Sequence, residues 1–431
     1  MQRPVIDPTT TRDALGRWLL DEARRLPSTG PLVEGLANRL VALGLPIDRV
    51  NFSVITLHPE IVGLAFQWRP GEPLRELNLP HGELSLPRYL NSPLPLVQAT
   101  RAAVRLRLAP GPAGEPADLR FAICEDLAAS GHTDYVALPL ELGPDTVAIL
   151  SLASRAPGGF TDAELGVLHE MLPIVSLLVD AHESRRLAST LLATWLGPRS
   201  AERVLRGKVQ RGDVETIRCA LWYADLRGFT AATARMTPVQ TIEHVDAAFE
   251  VMVEQVHARG DEVLKFVGDA MLAIVPVDDT HPPDQACRDA LDAAWAVQAG
   301  LSEVSRARTA SGLPPIEARV GLHIGEVQYG NVGGVGRLDF TVIGHAVNVV
   351  ARIEGLCDPL GHSVLASHAF ADLLPLVWVD RGHHAVKGVP EPVGVRTTAR
   401  PDRVAPPRPL RPDQPYRTAS PPSTSTTMPL R

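Results

Sequence analysis

A chain of 431 residues, 45% hydrophobic, is long enough for two or three domains with full-sized cores. Its formal charge of -7 is modest and no basic run occurs, which argues against a nucleic-acid partner. The first thirty residues carry Arg3, Asp7, Arg12, Asp13 and Arg17 without an apolar centre, so no signal peptide is expected, and apolar windows such as Leu172 to Val179 are too short to span a bilayer.

Apolar residues recur at helical spacing from Asp13 to Arg25 and from Gly35 to Leu43, where Gly44-Leu45-Pro46 breaks the second helix. Val50 to Thr56 alternates as a strand, His58-Pro59-Glu60 turns, and Gly63 to Trp68 alternates again. After an irregular segment, strands are expected at Ala102 to Leu108, Tyr135 to Leu142 and Thr146 to Ser154. Gly158-Gly159-Phe160-Thr161-Asp162 then opens a helix, with Thr161 or Asp162 as N-cap and Glu164 close behind.

This order predicts an antiparallel sheet bracketed by helices. With its last strand, Pro-Gly-Gly-Phe-Thr-Asp loop and closing helix, it resembles a GAF-type sensory domain over about Gly30 to His182. The resemblance implies a regulatory domain at 1–182 and leaves open an unidentified small-molecule ligand. His58, His132 and Asp134 are the residues that a metal or haem could draw together, but scattered loop histidines are ordinarily polar surface.

From Leu165 to about Leu205 the spacing is helical, with Pro173 as a kink and Gly197-Pro198 as an interruption. The second half of this stretch suits a dimer stalk, and residues 183–208 read as a helical linker. Cys124, Cys219, Cys287 and Cys357 lie far apart without a CxxC pair, which suits buried thiols in a reducing, cytoplasmic compartment.

Ala220 to Ala224 reads as a buried strand ending at Asp225, followed by Leu226-Arg227-Gly228-Phe229-Thr230 and a helical pattern. Leu264 to Val267 and Ala270 to Val275 flank Gly268-Asp269 as a hairpin. Pairing of the first strand with this hairpin sets Asp225 beside Asp269, two carboxylates that repel unless one holds a proton or a divalent cation lies between them. Magnesium needs only one or two protein carboxylates, so the pair suffices. Taken alone, a Gly-Asp is ordinarily just a turn cap.

Ala224 to Thr230, Lys265-Phe266-Val267-Gly268-Asp269 and Asp339-Phe340-Thr341 through Asn348 to Arg352 occur in the order and spacing of class III nucleotide cyclases. Over about Val209 to Arg400 the chain resembles that family, which implies an α+β, ferredoxin-like catalytic domain at 209–400. By that resemblance Asp225 and Asp269 hold two Mg2+ or Mn2+ ions about 4 Å apart, and the backbone from Leu226 to Thr230, with Phe229 and Thr230, cradles phosphates. Asn348 orients the ribose, and Arg352 stabilises charge at the α-phosphate. Lys387 grips the terminal phosphates, and Arg337 adds a contact from the glycine-rich tip Gly330 to Gly336. Lys265 donates to adenine N1 and Thr341 accepts from the exocyclic amine, which points to ATP and resembles subclass IIIb. The two aspartates of one subunit would face the lysine, threonine, asparagine and arginine of a second, so a homodimer is implied.

The expected activity is adenylate cyclase under an N-terminal sensor. Alternatives are a guanylate or mixed-specificity cyclase, or a silent nucleotide-binding signalling module; the Val267 to Met271 turn departs from that of diguanylate cyclases. An Arg352 paired with Glu354 or Glu391 is the competing structural reading. Residues 401–431, rich in Pro, Ser and Thr, have too little apolar surface to order themselves.

Overall fold

The computed structural model describes residues 6–110, 116–143 and 146–399. The Pro/Ser/Thr-rich tail lies outside them. The chain divides into two compact units, Met1–Leu191 and Leu192–Arg431.

In the first unit, helix α1 (Pro8–Asp21) starts where Asp7 accepts from the backbone N–H of Thr9 and Thr10, with Pro8 in the first turn. It buries Leu15 and Leu19, and α2 (Thr29–Ala42) buries Leu32, Val33, Leu36 and Leu40. Strands β1 (Arg49–Ile55), β2 (Ile61–Trp68), β3 (Arg75–Pro80), β4 (Val104–Arg107), β5 (Asp134–Leu142) and β6 (Thr146–Ser154) form one antiparallel sheet in the order β3-β2-β1-β6-β5-β4. Alternation in β1 sends Val50, Phe52 and Val54 into the core formed with α1 and α2. The helices α3 (Pro87–Leu90), α4 (Pro93–Thr100) and α5 (Ala122–Ala129) follow β3 and β4, and α4 and α5 contribute Val97, Cys124 and Leu127 to a second apolar cluster with Tyr135, Ala137 and Ile149. Strand β3 falls in the segment whose sequence is irregular, because an edge strand exposed along nearly its whole length carries no alternation.

Asp134 is fully buried, accepts from Arg105 at 2.8 Å and takes the Phe160 N–H at 2.9 Å, while Arg105 also reaches Asp162 at 3.2 Å. This ties β4 and β5 to the start of α6 (Asp162–Leu196), where Thr161 and Glu164 exchange N–H bonds as a capping box. The ligand reading of His58, His132 and Asp134 does not survive: Asp134 is spent on arginines, and His132 Nδ1 meets Ser130 and the Leu127 carbonyl. Among the described residues no group of three or more His, Cys, Asp or Glu is arranged to hold a metal. The 35-residue α6 is long and apolar enough, by length and composition alone, to cross a membrane, which corrects the expectation drawn from short windows. Its Leu165, Leu168, Val175 and Val179 are buried in the core of the first unit, as in a core helix.

The second unit opens with α7 (Pro198–Leu205). Strands β7 (Val214–Leu226), β8 (Glu262–Val267), β9 (Ala270–Pro276) and β10 (Ala318–Gly334) alternate with α8 (Phe229–Thr233), α9 (Pro238–His257) and α10 (Pro283–Ala310) in a β-α-β-β-α-β arrangement. Their order in the sheet, β10-β7-β9-β8, is ferredoxin-like. After β11 (Arg337–Ile343) come α11 (His345–Glu354), α12 (Cys357–Leu360), β12 (Val364–Ser367), α13 (His368–Ala371), β13 (Trp378–His384) and β14 (Val393–Thr398), and β12 to β14 extend the sheet beyond β10. Helix α11 begins at His345, since β11 stays paired with β10 through Ile343. The β10–β11 ladder runs out to Gly334 opposite Arg337, so the glycine-rich tip narrows to Val335-Gly336.

Candidate active site

Asp225 is the penultimate residue of β7, opposite Ala270 on β9 and Arg319 on β10. Asp269 immediately precedes Ala270 in the two-residue Gly268-Asp269 turn, where Gly268 has φ +65°, a conformation glycine adopts at no steric cost. The turn therefore sets the two carboxyl groups close enough for the charge of Asp269 to act on Asp225. Burial, then the negative charge of Asp269, pushes Asp225 up to about 6. Carboxylate oxygens in a pair that cannot comfortably ionise together fit a hard divalent cation such as Mg2+ or Mn2+.

This pair makes stability depend on pH. The folded chain retains a proton on Asp225 that the unfolded chain releases above the ordinary 3.8. The stabilisation is complete below about pH 4 and is lost as pH rises through about 6. At pH 7.5, without metal, Asp225→Asn is expected to stabilise the domain by about 1 kcal/mol once solvent screening of a partly exposed group is allowed for. That is about 2–4 °C in Tm. Calorimetry at pH 7.5 and pH 4 checks it: the gain should vanish at the lower pH.

Glu354 is a further neighbour, which entered the sequence reading only as a competing partner for Arg352. It does not pair with Arg352; it is 6% exposed and its carboxyl is pushed up to about 7 by burial and by Asp225, with Arg319 opposing. The helical period held the signal: Glu354 lies four positions after the fully buried Val350, on the face of α11 opposite Arg352.

Asn348 and Arg352 are exposed and four residues apart on α11. Arg352 Nε donates to the Lys387 carbonyl at 3.1 Å, which brings the connection between β13 and β14, with exposed Lys387, beside them. Lys265 on β8 pairs with Asp339 on β11, and Thr341, two residues further along β11, is 8% exposed. Phe229 packs its ring 6.3 Å from that of His244, and Thr230 is exposed, both on α8. That helix has five residues, so its backbone N–H groups rather than a helix field would meet phosphate. Arg337 stands exposed at the hairpin tip, away from these groups in the ladder. Among the described residues, no hydrogen bond or ion pair joins Asp225 or Asp269 to Lys265, Asn348, Arg352 or Lys387. A cavity of about 390 Å³ is lined by Arg227, Glu317, Arg319 and Asp358, whose charges pair with one another, and it contains none of these residues.

Residues 214–396 match the family described as "Adenylate and Guanylate cyclase catalytic domain". The chain is 36% identical over 149 residues to "Adenylate cyclase 1" of Rhizobium meliloti (34% of this chain, 22% of that protein). It is 32% identical over 165 residues to "Adenylate cyclase" of Anabaena cylindrica (37% of this chain, 32% of that protein). The chain thus spans less than a third of the length of these relatives. A crystal structure of the adenylyl cyclase CyaB from P. aeruginosa superposes with a TM-score of 0.41 at 24% identity, covering 44% of this chain and 98% of that one. Residues 214–396 are accordingly a nucleotidyl cyclase catalytic domain of the adenylate and guanylate cyclase family.

Proposed function

We propose that this domain is an adenylate cyclase, converting ATP to 3′,5′-cyclic AMP and pyrophosphate at sites shared between two subunits and regulated by the N-terminal unit. The observation that carries this reading is the adjacency of Asp225 and Asp269 at the ends of neighbouring strands. Two Mg2+ or Mn2+ ions held there would neutralise phosphate charge and acidify the ribose 3′-hydroxyl.

Every other task falls to the side chains. Asn348 holds the ribose so that its 3′-oxygen lies in line with the α-phosphorus and the leaving pyrophosphate. Arg352, fixed by its bond to the Lys387 carbonyl, stabilises the charge that grows at the α-phosphate as the new P–O bond forms and the bond to pyrophosphate breaks. Lys387 takes the terminal phosphates. The hydroxyl proton passes to water. The N–H groups from Leu226 to Thr230 supply donors, and Arg337 is assigned an accessory phosphate contact.

Lys265 as donor to adenine N1 and Thr341 as acceptor of the amine support ATP, as do the two relatives named adenylate cyclases. Asp339 favours a second reading. Its carboxylate beside Lys265 offers an acceptor that guanine N1–H could use, which supports mixed specificity. The buried, free Cys124, Cys219, Cys287 and Cys357 support a cytoplasmic setting. The test is product identification by chromatography after incubating the full chain with ATP and manganese: cyclic AMP with pyrophosphate is expected. Bound, unconverted ATP would instead favour a silent signalling module.

A further inference from the structure

Strand β8 carries Lys265 and leads to Asp269, yet it is the edge of the sheet and, among the described residues, pairs only with β9. The ladder slips between Val263 and Lys265, so Leu264 is a bulge one residue before the lysine. A bulge in an edge strand loosens its register and re-aims the next side chain. What fixes this strand must therefore come from outside its ladder.

Its first residue supplies that hold. Glu262 is 1% exposed. Its Oε1 accepts from the Ser200 N–H at 3.0 Å and from Ser200 Oγ at 2.7 Å, and its Oε2 accepts from the Tyr329 hydroxyl at 2.8 Å. Ser200 Oγ and the Tyr329 oxygen are themselves 3.1 Å apart, which closes the network. Arg203 lies over the Tyr329 ring at 4.8 Å. Burial and the Glu262 charge raise the Tyr329 hydroxyl, keeping it a donor. Gly197, just before α7, has φ +85°, and a Cβ there would lie 2.9 Å from Glu262 Oε1. The chain entering α7 thus closes on this carboxylate, and only glycine fits.

We propose that Glu262 is a positioning residue for base recognition: by fixing β8 to the start of α7 and to Tyr329 on β10, it sets where Lys265 stands. The inference rests on the reading of Lys265 as the base contact. A carboxylate buried at this depth satisfies three donors at once, and a neutral amide satisfies them with one N–H misdirected. The loss would reach Lys265 as a misplaced donor rather than as an unfolded domain.

The experiment uses the full-length protein with manganese and two ligands that lack the attacking hydroxyl, 3′-deoxy-ATP and 3′-deoxy-GTP, titrated by calorimetry. Glu262→Gln, Tyr329→Phe and Gly197→Ala are each expected to reduce the preference for the adenine ligand at least fivefold. Hydrogen exchange in the nucleotide-free protein is expected to rise at least tenfold over residues 262–267, with α10 unchanged. In a Lys265→Met background, Glu262→Gln should have no further effect on preference, because it acts through the lysine. A wild type that prefers adenine together with variants that keep its preference, or additive losses with Lys265→Met, would overturn the role of Glu262 alone. A wild type without any preference would overturn the base-contact reading and this inference with it.

Discussion

An equimolar mixture of Asp225→Ala and Asn348→Ala chains is expected to form cyclic AMP at about a quarter of the wild-type rate, although each chain alone is nearly inactive. Random pairing makes half of the dimers mixed, and in each of these one of the two symmetry-related sites draws its aspartates and its asparagine from intact chains. Each single substitution should lower kcat by about a hundredfold or more, the scale for removing a group that stabilises charge at the reacting phosphate. The expectation follows from geometry within one chain. Asp225 and Asp269 meet each other, while Asn348 and Arg352 stand exposed with Lys387 and make no bond to them among the described residues. Phe266 and Val267, on the same edge strand as Lys265, are 48% and 50% exposed, an apolar surface that a second subunit would cover. Rates across mixing ratios check this, with a maximum at equal amounts. A mixture no faster than the sum of its parts would show that each site is built within one chain.

Exchanging Lys265 for glutamate is expected to shift kcat/KM from ATP toward GTP by about 10²–10³, because a site built to bond one base edge is left with unpaired polar groups by the other. This structure adds a condition. Lys265 is paired with Asp339, so Lys265→Glu alone sets two carboxylates against each other and should be slow with both nucleotides. Adding Asp339→Asn relieves the repulsion and should recover turnover with GTP. Steady-state kinetics on both substrates decide it. Unchanged preference in the double variant would mean that the base is read elsewhere.

The sequence made the local setting of the candidate residues legible because its signals are local. A buried run ending in Asp225, two apolar runs around Gly268-Asp269, and Asn348 and Arg352 one helical turn apart are each contained in a dozen residues. What stayed hidden joins distant positions. Glu262 meets Ser200 and Tyr329 at separations of 62 and 67 residues, and nothing near Glu262 in the chain marks it as buried. The partners of Asp134 lie 26 and 29 positions away, so nothing beside it in the chain marks its ion pair. Glu354 was weighed only as a competing partner for Arg352, and the helical period that turns the two apart also places it within reach of the Asp225 charge. Strand β3 escaped because edge strands need no apolar face.

The central claim is tested most directly by the initial rate of cyclic AMP formation from ATP with manganese, measured side by side for the full-length protein and Asp269→Ala. A wild-type rate that falls by at least about a hundredfold in the variant is the result predicted by catalysis at the aspartate pair. Equal rates in the two proteins would contradict it.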